Sequence, residues 1–288
     1  MPAPERIPSR RMSGDVTRER KRTTLDLLAE GELTVRGQVR EASNAVLFCS
    51  VARAGEEVAC VYKPVAGERP LWDFPDGTLA QREVAAFELS EATGWDLVPP
   101  TVLRDGPYGE GMVQLWVEAD PSEPLLALVE DEEAGEGWKA GEGWKAVGPA
   151  QVAEDRTALL VHADSPQLRR LAVLDAVINN GDRKGGHLLP VAGGHLYGID
   201  HGVSFHVEDK LRTLLWGWAG EELTEEAVRV LAALDARLAP GTRLAERLAG
   251  LLTAAEVDAL RERVAGLRRT GRHPVPSGQW PAIPWPPV

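Results

Sequence analysis

A stretch from Leu171 to Ile178, apolar but for Asp175, breaks off into Asn179-Asn-Gly-Asp-Arg-Lys-Gly-Gly-His187, and a short segment then leads to Tyr197-Gly-Ile-Asp-His-Gly202. Leu168, Leu171, Leu174 and Ile178 recur near helical spacing after Ser165-Pro166, an N-cap followed by a residue favoured at the first helical position. The end of this helix delivers Asp182 on a tight polar turn. A hairpin punctuated by Gly193-Gly194, between 187–191 and 195–200, delivers Asp200. Two carboxylates presented this way suit phosphoryl transfer, in which one orients an attacking hydroxyl and the other holds a metal that bridges the phosphates. The pair implies a kinase-type site.

The 288 residues suffice for one large domain or two lobes around a cleft, and at 43% hydrophobic they can bury a core. A net charge of −12 argues against binding nucleic acid by neutralising phosphates, and against an anionic membrane as a resting partner. No apolar run approaches the length that crosses a bilayer, and the polar start lacks the apolar core of a secretory signal, so a cytoplasmic location is expected. Cys49 and Cys60 fall in neighbouring strand-like segments and read as small buried hydrophobes in a reducing compartment.

Composition and periodicity divide the chain into five stretches. Residues 1–24 read as a disordered basic arm and 25–118 as a β-rich lobe. Strands are expected over Thr34–Val39, Ala45–Ala52, Glu57–Lys63 and Met112–Glu118. Thr78-Leu-Ala-Gln81 reads as a capping box opening a helix that stops at Gly94. Residues 119–155 form an acidic, Gly-rich insertion with a literal repeat, Gly135-Glu-Gly-Trp-Lys-Ala140 and Gly141-Glu-Gly-Trp-Lys-Ala146. From Gln151 the chain is expected to turn helical. A helical lobe spans 156–271, with later helices over Thr224–Leu238, Thr242–Leu252 and Ala254–Arg269. Residues 272–288, rich in Pro and Trp, are expected to lie extended against their own domain. The expected fold class is α+β: two lobes, a small β-rich one with one main helix and a larger helical one.

Phosphoryl transfer also needs a cation for the phosphates and an acid to fix that cation. Alternation in the third strand sends Val58, Cys60 and Tyr62 to one face and Val61 and Lys63 to the other, and Glu83 on the capped helix is placed to pair with Lys63. The loop Arg40-Glu-Ala-Ser-Asn44 lacks a Gly-rich fingerprint but could cover phosphates through Ser43, Asn44 and backbone N–H groups. Gly185 and Gly186 allow close approach of backbone to phosphate, or simply a tight turn. Asp182 and His187 stand at the spacing of base and metal-binding Asn in a protein-kinase catalytic loop.

Asp182-Arg-Lys-Gly-Gly-His187 with Ile199-Asp-His-Gly202 resembles the catalytic core of the phosphatidylinositol 3-/4-kinase-like superfamily, whose loops read D-R-H-x-x-N and I-D-F-G. Lys63-Pro64, the segment Gly67–Pro75, Val98-Pro-Pro100, and Lys210–Thr213 through Trp216-Gly-Trp218 are similar to an actinobacterial family within it. The resemblance implies a phosphatidylinositol-kinase-like fold and an ATP-dependent kinase using Mg²⁺ or Mn²⁺. It makes Lys63 the phosphate-contacting lysine and Glu83 its partner. Gln114, Leu115, Trp116 and Val117 become the strand whose backbone meets adenine, Asp182 the catalytic-loop acid and Asp200 the metal-binding acid. His187 stands where the family has the second metal-binding residue, Asn, and His201 replaces Phe. Lys184 replaces the usual His and is placed to contact the γ-phosphate. Imidazole suits later transition metals better than Mg²⁺, so His187 implies Mn²⁺ tolerance, a single-metal site or lost catalysis.

Three readings follow. One is a kinase acting on an unknown hydroxyl acceptor, a protein or small molecule rather than a lipid. Another is a catalytically inactive nucleotide-binding regulator on the same fold. The third is a metallohydrolase built on His187, His195, His201 and His206 with the two acids, although no HxH or HExxH spacing occurs among them. Lys210 and Arg212, just after the second motif, read as acceptor contacts or as a solvated basic pair, and Trp216 and Trp218 as core or groove wall rather than a ligand stack.

Overall fold

Alternating apolar residues build the first sheet. In the computed structural model, which describes residues 18–39, 45–69, 71, 74, 78–120, 122, 124–130, 141–153 and 156–287, its strands are β1 (Glu32–Gln38), β2 (Leu47–Arg53), β3 (Glu56–Pro64), β4 (Thr101–Gly106) and β5 (Gly109–Leu115). They pair antiparallel in the order β1-β2-β3-β5-β4. Ala54 and Gly55, at φ 51° and 84°, make the tight β2–β3 turn with the positive φ pair that matches strand twist. One face buries Cys49, Val51, Cys60, Tyr62 and Val113 beneath Leu27 and Leu28 of α1 (Arg18–Glu30). Burial pushes the two thiols up, to about 11 for Cys49 and about 12 for Cys60, so both stay protonated, unpaired and inert.

The arm expected over residues 1–24 is therefore helical from Arg18 on. Leucines 27 and 28 find a sheet face that local sequence could not announce, and Lys21 pairs with Glu91 and Asp96. Residues 1–17 lie outside the described residues.

The other face of the sheet meets α2 (Leu79–Thr93), which belongs to the main core. Thr78 caps it by accepting from Gln81 N at 3.2 Å, and the Glu68 carboxylate accepts from Leu79 N at 3.0 Å and Ala80 N at 2.8 Å. Gly94, at φ 74°, ends it.

A second correction concerns residues 126–163. In place of an insertion followed by helix from Gln151, β6 (Leu126–Glu130), β7 (Trp144–Ala153) and β8 (Arg156–Ala163) form a three-stranded sheet in the order β6-β8-β7. The apolar run Ala158–Val161 is too short for periodicity to distinguish strand from helix. The second repeat copy opens β7, and the first lies outside the described residues. Lys145 from this copy reaches Glu221 at 2.5 Å, and His162 Nε2 accepts from Gly217 N at 3.1 Å, which joins the sheet to the helical lobe.

That lobe contains α3 (Pro166–Ile178), the hairpin β9 (Leu188–Val191) and β10 (His195–Gly198), then α4 (Glu225–Arg237), α5 (Arg243–Ala249) and α6 (Ala254–Thr270). Trp218 is buried within its core, and Trp216 is also buried. Arg82 crosses from α2, donating to Ser204 O at 2.7 Å and pairing with Glu256 at 2.5 Å, so one buried side chain locks helix to lobe.

Candidate active site

α3 stops where Asn179 turns left-handed at φ 55°. Its side chain holds the returning chain, donating to His206 O at 2.9 Å and Glu208 O at 2.6 Å and accepting from Lys210 N at 3.0 Å. Asn180 Oδ1 accepts from Asp182 N at 2.9 Å, which shapes the turn carrying the acid. Asp182 Oδ2 sits 3.2 Å from Lys184 Nζ. Burial pushes the Asp182 carboxyl up, and the Lys184 ammonium works against that.

Lys63, Glu83 and Asp200 come together, and the Asp200 charge also acts on Asp182, raising it further. Lys63 Nζ donates to Glu83 Oε1 at 2.6 Å and to Asp200 Oδ1 at 2.8 Å, joining β3, α2 and the end of the β10 hairpin. Glu83 is 1% exposed, whereas the Asp200 side chain is 47% exposed and opens outward. Burial opposes the Lys63 charge, but the Asp200 and Glu83 carboxylates outweigh it and hold the ammonium above its ordinary value. The Lys63 ammonium in turn holds Asp200 well below the usual carboxylate range, while burial pushes Glu83 up. Asp200 adopts φ 60°, a left-handed conformation kept by what surrounds it. The next amide, His201 N, donates to Glu83 Oε2 at 2.8 Å.

His187 Nε2 lies 3.3 Å from Asp200 Oδ2, and burial pushes its pKa down to about 4, so the imidazole is neutral at ordinary pH. One carboxylate with one neutral imidazole is a donor set for a divalent ion that completes its shell from phosphate oxygens and water. Among the described residues no group of three or more His, Cys, Asp and Glu could hold a metal. The four histidines of the metallohydrolase reading diverge. His195 packs edge-on to Tyr197 at 4.4 Å, His206 packs against Phe74 at 5.2 Å, and His201 is buried behind the site.

Other expectations change. Gln114 and Leu115 lie in a strand flanked by β3 and β4. Leu115 N donates to Pro100 O at 2.9 Å and Trp116 N to Ala59 O at 3.0 Å, so these amides are spent on the sheet. Gln114 is buried against Thr101 at 2.9 Å. Ser43 and Asn44 lie outside the described residues. Lys210 is buried, its Nζ 3.3 Å from the Trp280 ring centroid, and Arg212 donates to Gly181 O at 2.7 Å. Neither forms the solvated pair.

Sequence reasoning missed a network behind the site. Arg183, fully buried, donates to both oxygens of Asp175 at 2.9 Å, to Ile199 O at 2.8 Å and to His201 Nε2 at 2.7 Å. The signal was available: Asp175 is an acid inside an apolar helix, and a buried charge demands a partner.

No protein-family model matches the chain. The Mycobacterium tuberculosis (strain H37Rv) protein Rv2133c is 49% identical over 267 residues, covering 90% of this chain and 94% of its own. Among solved structures, the Golgi casein kinase with Mn/ADP bound matches at TM-score 0.54 and 15% identity, over 88% of this chain and 75% of that one. Hydra Fam20 with sugar matches at TM-score 0.51 and 15% identity, over 92% and 91%. These likenesses show a kinase-like fold, mixed α/β with a β-sheet N-terminal region and helical parts. Among the described residues no helix is long and apolar enough to cross a membrane.

Proposed function

The chain belongs to the same family as the Mycobacterium tuberculosis protein Rv2133c, and on that premise and its kinase-like fold we propose that it transfers the γ-phosphoryl group of ATP to a hydroxyl acceptor. The observation that carries this is Lys63 Nζ bridging Glu83 at 2.6 Å and Asp200 at 2.8 Å, a fixed cation next to an outward-facing acid. Lys63 contacts the phosphates and Glu83 holds Lys63 in place. Asp182 orients the acceptor hydroxyl and takes its proton, and Lys184 beside it meets the γ-phosphate. Asp200 and His187 are the residues to hold a divalent ion, and the imidazole favours Mn²⁺ over Mg²⁺. Such an ion, when bound, neutralises charge building on the transferred group. A structural neighbour with Mn/ADP bound supports nucleotide and metal use. The motifs around Asp182 and Asp200 support a phosphatidylinositol 3-/4-kinase-like branch, with a protein or small molecule as acceptor.

Incubation with labelled ATP and Mn²⁺ or Mg²⁺ should give phosphate transfer that Asp200→Asn abolishes. Turnover unchanged in that variant would overturn the assignment. His187 against Asp200 favours a second reading, a nucleotide-binding regulator without transfer. In that case ATP with Mn²⁺ raises the melting temperature while no phosphate moves.

A further inference from the structure

The Pro/Trp-rich segment lies against the catalytic loop. Pro287 O accepts from Gly185 N at 2.8 Å, three residues past Asp182. Ala282 O accepts from Thr213 N at 3.0 Å and from the Trp216 indole at 2.8 Å. Trp280 covers Lys210 Nζ at 3.3 Å, and Pro284 is buried. Thr213 itself pairs with Arg183 of the catalytic loop. The surface thus offers backbone N–H groups, an indole donor and a cation for an aromatic face. That combination recognises the carbonyls and rings of an extended polypeptide rather than a phosphate headgroup or a sugar.

We infer that the groove formed by Gly185, Lys210, Thr213 and Trp216 is the acceptor site, that its substrates are extended polypeptides, and that residues 280–287 occupy it as an internal pseudosubstrate. The inference rests on the kinase reading and names the acceptor class of that site. Trp280–Val288 contains no Ser, Thr or Tyr, so the segment cannot receive phosphate and blocks where it binds. Its four prolines fix backbone angles in advance, which lowers the ordering cost of holding it there. Tethering gives it an effective concentration on the order of millimolar, against which an external acceptor must compete.

Full-length Ala282→Ser and Ile283→Ser place a hydroxyl in the occupied groove. With ATP and Mn²⁺, the new oxygen bonds to the γ-phosphorus and the bond from that phosphorus to the β-phosphate oxygen breaks. ADP leaves, and the hydroxyl proton passes to Asp182. Mass spectrometry should find phosphate at position 282 or 283. Trp280→Ala, which loosens the segment and leaves the nucleotide side untouched, should raise phosphorylation of dephosphorylated casein about tenfold with the KM for ATP unchanged. ATP turnover with no phosphate at either position, and no gain from Trp280→Ala, overturns this inference and leaves the kinase reading standing. Absence of turnover in the wild type and in every variant overturns both.

Discussion

Arg183 Nη2 donates to His201 Nε2 across 2.7 Å, and because a guanidinium only donates, His201 must carry its proton on Nδ1. That nitrogen, buried and 3.8 Å from Glu83 Oε2, is beyond hydrogen-bond reach, and it is the His201 amide that donates to this oxygen. Burial, with Arg183 beside it, holds His201 neutral. A continuous polar chain therefore runs from Asp175 on α3 through Arg183 and His201 to Glu83 and Lys63, linking the helical lobe to the sheet.

Arg183→Lys should be nearly as damaging as Arg183→Ala, since an ammonium cannot fork onto both Asp175 oxygens and still reach His201. Leaving Asp175 buried without its partner should cost about 3–5 kcal/mol, read from urea unfolding. Asp175→Asn combined with Arg183→Met should recover part of that loss. A double variant as weak as the sum of the two singles would contradict the coupling.

Lys63→Met strands Glu83, which is buried, and should lower stability by about 3 kcal/mol and eliminate nucleotide turnover. Adding Glu83→Gln should restore much of the stability and none of the turnover. Thermal unfolding and labelled-ATP assays separate the two effects. Restored turnover in the double variant would remove Lys63 from the phosphate-binding role.

Acid should weaken the fold well above the carboxylate range. His187 and His273 are each pushed by burial from 6.5 down to about 4, so between those values the unfolded chain binds more protons than the folded one. Stability from these groups is complete above about pH 6.5 and falls as pH drops toward 4. Asp200, held low by Lys63, adds a loss only below about pH 4, the unfolded carboxylate value. Urea midpoints measured from pH 7 to pH 5 should decline, and His273→Gln should flatten the slope. An unchanged slope in that variant would show that His273 contributes nothing.

Gly217→Ala should detach the three-stranded sheet. A Cβ there would come within 2.4 Å of both His162 Nε2 and the Lys145 Cβ, closer than packed atoms approach. Overpacking of this kind costs about 1–3 kcal/mol, and His162 also loses the Gly217 amide if the backbone withdraws. Hydrogen exchange should then rise in β7 and β8 first and leave β1 to β5 unaffected. A uniform rise across both sheets would contradict this local account.

The parts of the site legible in the sequence are those set by local geometry. Period-two alternation placed Lys63 opposite Tyr62, and the structure buries Tyr62 under α1 while Lys63 faces α2. Turn chemistry placed Asp182 and Asp200, and capping chemistry placed Glu83. Partners distant in the chain were harder to read. Lys210 and Arg212 look like surface cations until residues 280–287 and Gly181 are brought against them. Likewise, α1 is polar enough to pass for an arm because only Leu27 and Leu28 mark the side that the sheet covers, while Leu25 packs against the main core. The short apolar stretch of β8 has no period of its own, and only its neighbours β6 and β7 decide what it becomes.

Glu68, four residues beyond Pro64, clasps the first two amides of α2 and so closes a loop whose two ends are Lys63 and Glu83. Phe74, between that clasp and α2, lies 4.8 Å from the Arg82 guanidinium and 5.2 Å from the His206 ring, so a change at this one side chain reaches both the buried arginine that ties helix to lobe and the segment returning from Asp200.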